Sequence, residues 1–254
     1  MRNISYYQHS LFLPLMSRQS QTTLFFHPNL EQSHIELPPD EAKHIKTLRL
    51  RKGDRIWLVD GNGNRAEGVI QSPAVKDCHI EIVERQPPTP AKPYTIHIAL
   101  APTKSNDRIE WFLEKAIEIG IDKVTLMETE HGIRSKLKGD RLWRKGLAAM
   151  KQSLRAEMPE VEALIPFREV LEQSQAEECF IAYTPESPER HLQKVATPGK
   201  SYLVLIGPEG GFSEEELKLA TQKGYRAVSL GASRLRTETA ALVSCMLLNF
   251  INQE

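Results

Sequence analysis

Tyr202-Leu203-Val204-Leu205-Ile206, then Gly207-Pro208-Glu209-Gly210-Gly211-Phe212, then Ser213-Glu214-Glu215-Glu216: this run decides how the chain is read. Five apolar residues in succession have strand character, and the glycines and proline that follow cannot continue it. Ser213 stands three residues before Glu216, the spacing of a capping box that opens a helix. The pattern recurs downstream. Ala227-Val228-Ser229-Leu230 is a second short apolar run, ended by Gly231, and Ala232-Ser233-Arg234-Leu235-Arg236 leads through Thr237-Glu238-Thr239 into a last helix, Ala240 to Asn249. Two strand ends therefore each deliver a polar, glycine-bearing loop to a helix N-terminus. Ligands of α/β sheets collect beyond the carboxyl ends of strands, so a binding site is expected here. Neither loop ends in Gly-Lys-Ser/Thr and no G-x-G-x-x-G precedes either helix, which argues against nucleoside triphosphates and dinucleotides. Each glycine taken singly reads as ordinary turn chemistry.

Working back toward the N-terminus, strands and helices alternate. Tyr94 to Leu100 reads as a strand, Arg108 to Ile119 as a helix, Lys123 to Met127 as a strand, Asp140 to Ala156 as a helix. Val161 to Ile165, Val170 to Ser174 and Phe180 to Tyr183 continue as strand, helix and strand. The alternation predicts an α/β domain over residues 94–254 with a parallel sheet covered on both faces. Residues 86–93, Gln86-Pro87-Pro88-Thr89-Pro90-Ala91-Lys92-Pro93, form a stiff proline-rich linker and mark a domain boundary. Residues 23–85 differ in character. A helix is expected over Asp40 to Arg49, started by Pro38 and Pro39, and a hairpin pairs Arg55–Asp60 with Arg65–Ile70 around Gly61-Asn62-Gly63-Asn64. Cys78 to Val83 alternates as a third strand, and short strands with one helix predict a small β-barrel. Residues 1–22 are expected to be a disordered extension, since Leu11-Phe12-Leu13-Pro14-Leu15-Met16 is too short and proline-broken to span a membrane.

The chain has 254 residues, enough for a sizeable core, and 33 basic residues against 33 acidic ones. A zero net charge supplies no global field for nucleic acid, so any such binding must come from local patches. One patch is Lys43, Lys46, Arg49, Arg51, Lys52 and Arg55 with His44, against the single acid Asp54. It suits phosphate contact, and the competing reading is a solvated helix face. Arg134, Lys136, Lys138, Arg141, Arg144, Lys145, Lys151 and Arg155, against Asp140, form a second. Cys78, Cys179 and Cys245 are dispersed, which favours a reducing cytoplasm and small core roles. The eight histidines show no metal-ligand spacing, so no metal is expected.

The two C-terminal loops, Ile206 to Gly211 and Leu230-Gly231 with Arg234 to Ala241, resemble motifs of the SPOUT superfamily of methyltransferases. Within it they are most similar to the RsmE family, which methylates N3 of a uridine in the 16S RNA of the small ribosomal subunit. Gln152-Ser153-x-Arg155 with Pro159-Glu160-Val161 carries the same likeness. Where that family often has Pro-Arg after Leu-Gly, this chain has Ala232-Ser233. The resemblance implies a C-terminal domain with a deep trefoil knot, a PUA-like N-terminal domain, S-adenosylmethionine as cofactor and a homodimer formed through the knotted domains.

It also implies a division of labour. Gly207, Pro208, Glu209, Gly210, Gly211, Leu230 and Gly231 bring backbone to the cofactor. Leu205, Ile206 and Leu235 line the adenine pocket, with Thr237 and Thr184 nearby, Thr184 following Tyr183 at an earlier strand end. Thr237 is read as the N-cap of the last helix. Uridine N3 must lose a proton before it can accept a methyl group, and a cation beside the developing imide anion favours that loss. Arg236 is the first candidate and Arg234 the second, each also suited to clamp a phosphate or carboxylate. Glu238 is a candidate base, or simply an acid complementing the helix dipole. Lys43, Lys46, Arg49, Arg51, Lys52, Arg134, Lys136 and Arg155 are the RNA-contact candidates. The same residues leave two rival functions open: ribose methylation by another SPOUT enzyme, and a non-catalytic RNA-binding or ribosome-assembly factor.

Overall fold

The computed structural model describes residues 23–88, 90–133, 139–183 and 190–253. The extension read over residues 1–22 lies outside them. Contacts divide the chain into two units, one running to Val59 and resuming over Arg65–Gln86, the other holding Asp60–Asn64 and the residues from Pro87 onward.

The first unit contains β1 (Leu24–Phe26), β2 (His34–Glu36), α1 (Pro39–Thr47), β3 (Arg55–Val59), β4 (Arg65–Ala74) and β5 (Asp77–Gln86). Its five strands run in the order β1-β3-β4-β5-β2. β1 lies parallel to β3 and the other pairs are antiparallel. Register shifts between Glu67 and Gly68 and between Ile70 and Ser72 mark bulges in the long β4–β5 ribbon, and bulges bend a strand around what it covers. What it covers is a core of Phe25, Ile35, Ile45, Ile56, Leu58, Ile70 and Ile80. A Cβ at Gly68 would lie 2.4 Å from Ile80 Cγ2 and 2.8 Å from Leu58 Cδ1, so only glycine lets the strands close at that bulge. α1 stops at Thr47, short of the expected Arg49, because Arg49 adopts φ 59° and turns the chain back without a glycine to announce it.

The second unit is a six-stranded parallel sheet in the order β11-β9-β10-β6-β7-β8. Its elements are β6 (Thr95–Leu100), α2 (Asn106–Ile119), β7 (Lys123–Glu128), α3 (Gly139–Gln152), β8 (Glu160–Pro166), α4 (Phe167–Gln173), β9 (Glu178–Ala182), α5 (Leu192–Val195), β10 (Ser201–Ile206), α6 (Glu214–Gln222), β11 (Arg226–Val228) and α7 (Thr237–Ile251). The expected βα alternation is present, and several bounds differ. α3 ends at Gln152, four residues before Ala156, where Leu154 takes φ 57°. α7 begins at Thr237 rather than Ala240.

α2 and α7 pack together on one face of this sheet, α7 lying over β6 and β10. On the other, Phe167, Val170 and Leu171 of α4 join Leu203, Leu205 and Ile181 in a core cluster. Across β6, β7 and β8 runs a polar row: His97 Nε2 lies 2.8 Å from Thr125 Oγ1, and Thr125 donates to Glu162 Oε2 at 2.9 Å. Lys123 closes it against Glu162 at 3.0 Å. Since the one hydroxyl proton goes to the carboxylate, His97 must donate from Nε2. Burial, with Lys123 nearby, lowers its pKa from 6.5 to about 4, so the ring is neutral. α7 carries no charged residue after Glu238. Its inner side buries Ala241, Cys245 and Leu248, while Leu242, Val243, Met246 and Leu247 are half-buried and Phe250 is exposed. Among the described residues no helix is long and apolar enough to cross a membrane.

Candidate functional site

β9, β10 and β11 are neighbours in the sheet, so their carboxyl ends open onto one place. A cavity of about 560 Å³ lies there, within the size range of small-molecule sites. Its walls are the ends of β9 (Ala182, Tyr183) and β10 (Ile206 to Phe212), with Val228 at the end of β11 and Leu230, Gly231 and Ser233 to Thr237 beyond it. The loops are tied to each other directly. Thr237 Oγ1 donates to Gly207 O at 3.0 Å, and Arg234 Nη2 donates to Glu209 O at 3.1 Å. Two hydrogen bonds thus bridge segments about 25 to 30 residues apart in sequence and fix the mouth between them.

The first loop is braced from beneath as well. Ser213 and Glu216 form the expected capping box, with Ser213 N donating to Glu216 Oε2 at 2.9 Å. Glu216 has a second task, since its Oε1 accepts Glu130 N–H at 2.9 Å from the segment after β7. Geometry favours glycine at two positions. A Cβ at Gly207 would sit 3.1 Å from the ring of Phe212, and Gly231 holds φ +131°, which side-chain-bearing residues rarely adopt.

Of the residues expected at the cofactor, Ile206, Gly207, Pro208, Glu209, Gly210, Gly211, Leu230, Gly231, Leu235 and Thr237 all line this cavity. Leu205 does not. Successive strand residues point to opposite faces, and Leu205 is wholly buried in the cluster with Leu203 and Phe167. Thr237 is not the N-cap of α7, a position taken by Arg236 with no side-chain cap bond; its hydroxyl is spent on Gly207 instead. Thr184 lies outside the described residues. Ala182, Phe212, Val228, Ser233 and Ala240 also line the cavity and were not singled out from sequence, although Val228 ends a strand and Phe212 ends the loop before the Ser213 cap, both within the stretches that carried the prediction.

The three catalytic candidates fall together. Arg234 is occupied by Glu209 O, whereas Arg236 is exposed at the N-terminal end of α7, where the helix dipole adds positive potential. Glu238 is only 6% exposed. Its Oε1 lies 3.7 Å from Arg108 Nε, and its Oε2 is buried with no hydrogen-bond partner. A second cavity of about 570 Å³ shares Arg234, Leu235 and Arg236 with the first and is completed by Asp107, Arg108, Trp111, Glu238 and Thr239.

The RNA-contact candidates divide. Lys43, Lys46, Arg49, Arg51 and Lys52 are all exposed on α1 and the turn after it, Lys43 pairing with Asp40 at 3.1 Å. Arg155 is half-buried against the end of α2, with Nη2 3.5 Å from Ile119 O. Arg134 and Lys136 lie outside the described residues. Arg141, of the same basic stretch, is bound by Asp107 and Glu110. Among the described residues no three His, Cys, Asp or Glu are grouped to hold a metal ion.

The chain matches known families and solved structures. Residues 90–249 match a family described as RNA methyltransferase domain, and residues 37–83 one described as RNA methyltransferase PUA domain. The chain is 30% identical over 217 residues to ribosomal RNA small subunit methyltransferase E of Mycobacterium bovis, covering 81% of this chain and 82% of that protein. It is similar in structure to a probable rRNA-methyltransferase from Porphyromonas gingivalis, with TM-score 0.85, 41% identity and coverage of 91% of this chain and 98% of that one. Ribosomal RNA small subunit methyltransferase E from Neisseria gonorrhoeae, crystallised bound to S-adenosyl methionine, gives TM-score 0.81 at 26% identity with the same coverage of 91% and 98%.

Proposed function

Because the chain belongs to the ribosomal RNA small subunit methyltransferase E family, we propose that it methylates N3 of a uridine in 16S ribosomal RNA. It is an S-adenosylmethionine-dependent enzyme with a PUA-like first unit and a SPOUT-type second unit. The observation that carries this reading is the pair of hydrogen bonds locking the two glycine loops around one cavity at the ends of β9, β10 and β11. The cavity fits the cofactor: bare backbone at Gly211 and Gly231, where a Cβ would meet nothing, admits close approach, and Ile206, Val228, Leu230 and Leu235 give apolar walls for a flat base.

S-adenosylmethionine, when bound, supplies an electrophilic methyl group on a sulfonium. The protein's own part is positioning and charge. Arg236 stabilises the imide anion that forms as N3 loses its proton, and Glu238 accepts that proton. Arg234, engaged with Glu209 O, shapes the loop rather than the charge. Lys43, Lys46, Arg49, Arg51 and Lys52 engage RNA phosphates from the first unit. We assign the half-exposed apolar side of α7 to pairing with a second copy, which its uncharged run from Thr239 onward supports, and the C-terminal chain to a threaded knot. The enzyme works in the cytoplasm, where ribosomal RNA is.

Small subunits from a strain lacking the gene, incubated with the protein and S-adenosylmethionine, test the reading after nucleoside digestion. Gain of N3-methyluridine is the expected result. A ribose-methylated nucleoside, or no product, overturns it.

A further inference from the structure

We propose that the second cavity receives the target base itself, with Trp111 as its stacking platform and the Arg108–Glu238 pair reading its edge, an inference that rests on the methyltransferase reading above. The cavity abuts the one assigned to the cofactor across Arg234–Arg236, so a base placed in it lies beside that site. α2 buries Ile109, Phe112, Leu113, Ala116 and Ile117, yet leaves the large ring of Trp111 44% exposed on this cavity. An unstacked indole facing a cavity beside a nucleic-acid enzyme's cofactor site offers what an extruded base needs, a flat partner in place of its lost neighbours.

Glu238 supplies the second observation. Its buried Oε2 has no hydrogen-bond donor in the protein, which is costly for a carboxylate oxygen and marks it as waiting for one. The edge of uracil presents one N–H donor, N3, between two carbonyl acceptors. Glu238, 3.7 Å from Arg108 and lining the same cavity as Arg236, presents the inverse, one acceptor group beside two donor groups. Cytosine has an acceptor at N3 and a donor amine beside it, and would set acceptor against acceptor at Glu238. The trio therefore selects uracil and places its N3–H against the group that removes the proton. The same contact that identifies the base begins the chemistry.

The test uses the full chain in three forms, wild type, Trp111→Ala and Trp111→Phe. Calorimetry measures S-adenosylmethionine affinity, anisotropy of an end-labelled short oligouridylate measures its binding in all three forms, quenching of the wild-type indole reports stacking, and methyl transfer to unmodified small subunits gives kcat/KM. A Trp143→Phe background removes the other exposed indole, leaving Trp57, which is buried. Expected for Trp111→Ala are unchanged cofactor affinity and a loss of about ten- to hundredfold in oligouridylate affinity and kcat/KM, with Trp111→Phe restoring most of it. Oligouridylate quenches the indole where oligocytidylate does not, and Arg108→Met narrows that preference. Wild-type kcat/KM in Trp111→Ala, or equal quenching by both oligomers, overturns the base pocket and leaves the methyltransferase reading standing. A wild-type chain that binds no S-adenosylmethionine overturns both.

Discussion

Replacing Thr237 by valine probes the bond that holds the site together. Valine keeps the shape and the β-branch of threonine, so the first turn of α7 is undisturbed, and only the donor to Gly207 O at 3.0 Å is removed. Thr237 is 4% exposed, so water does not readily replace the missing hydroxyl and the Gly207 carbonyl is left short of a partner. Such a loss costs about 1–3 kcal/mol. Where it falls decides the outcome. If the bond serves to hold the two loops in their binding geometry, cofactor binding must restore that geometry at its own expense, and Kd rises by about 5- to 150-fold. Isothermal calorimetry with S-adenosylmethionine measures this, with Thr221→Val, which loses only a local bond to Leu217 O in α6, as the control. We expect about a tenfold weaker Kd for Thr237→Val and no change for the control. A Thr237→Val protein that binds within about twofold of wild type would refute the claim that this clamp organises the pocket.

Three further outcomes are expected. Arg236→Ala lowers kcat by about 10²–10³-fold with little change in cofactor affinity, and retained turnover in a rapid-quench assay would remove Arg236 from the chemistry. Stability should fall as pH drops from 6.5 toward 4, because His97 takes up a proton on unfolding throughout that window; the contribution is at most about 3 kcal/mol, and His97→Gln should flatten that part of a chemical-denaturation series against pH. Neutralising Lys43, Lys46, Arg49, Arg51 or Lys52 singly should weaken RNA binding and reduce the slope of log K against log salt by about 0.7–0.9 for each phosphate no longer neutralised, and an unchanged slope would return that residue to the solvated face.

How much of this was legible in the sequence varied with the kind of interaction. The glycine loops announced themselves because glycine and proline punctuate a chain locally, and so did the capping box at Ser213 and Glu216. Leu205 was misassigned because a strand buried on both faces reads as a continuous apolar run, which hides the alternation that separates it from Ile206. Thr237 beside a helix start looks like a cap, and only tertiary structure reveals that its hydroxyl reaches Gly207 instead. β2 and α5 span three and four residues, too few for any period to show. Trp111 stands in an amphipathic helix where aromatic residues ordinarily face the core, so nothing short of its exposure distinguishes it.

The sheet order sets a schedule for the molecule's biosynthesis. β10 inserts between β9 and β6, and β6 has left the translating ribosome about a hundred residues earlier. Closing the pocket waits longer still, for Thr237 at the head of the last helix. A nascent polypeptide arrested before that residue carries every strand of the sheet and lacks the hydroxyl that ties its two glycine loops together.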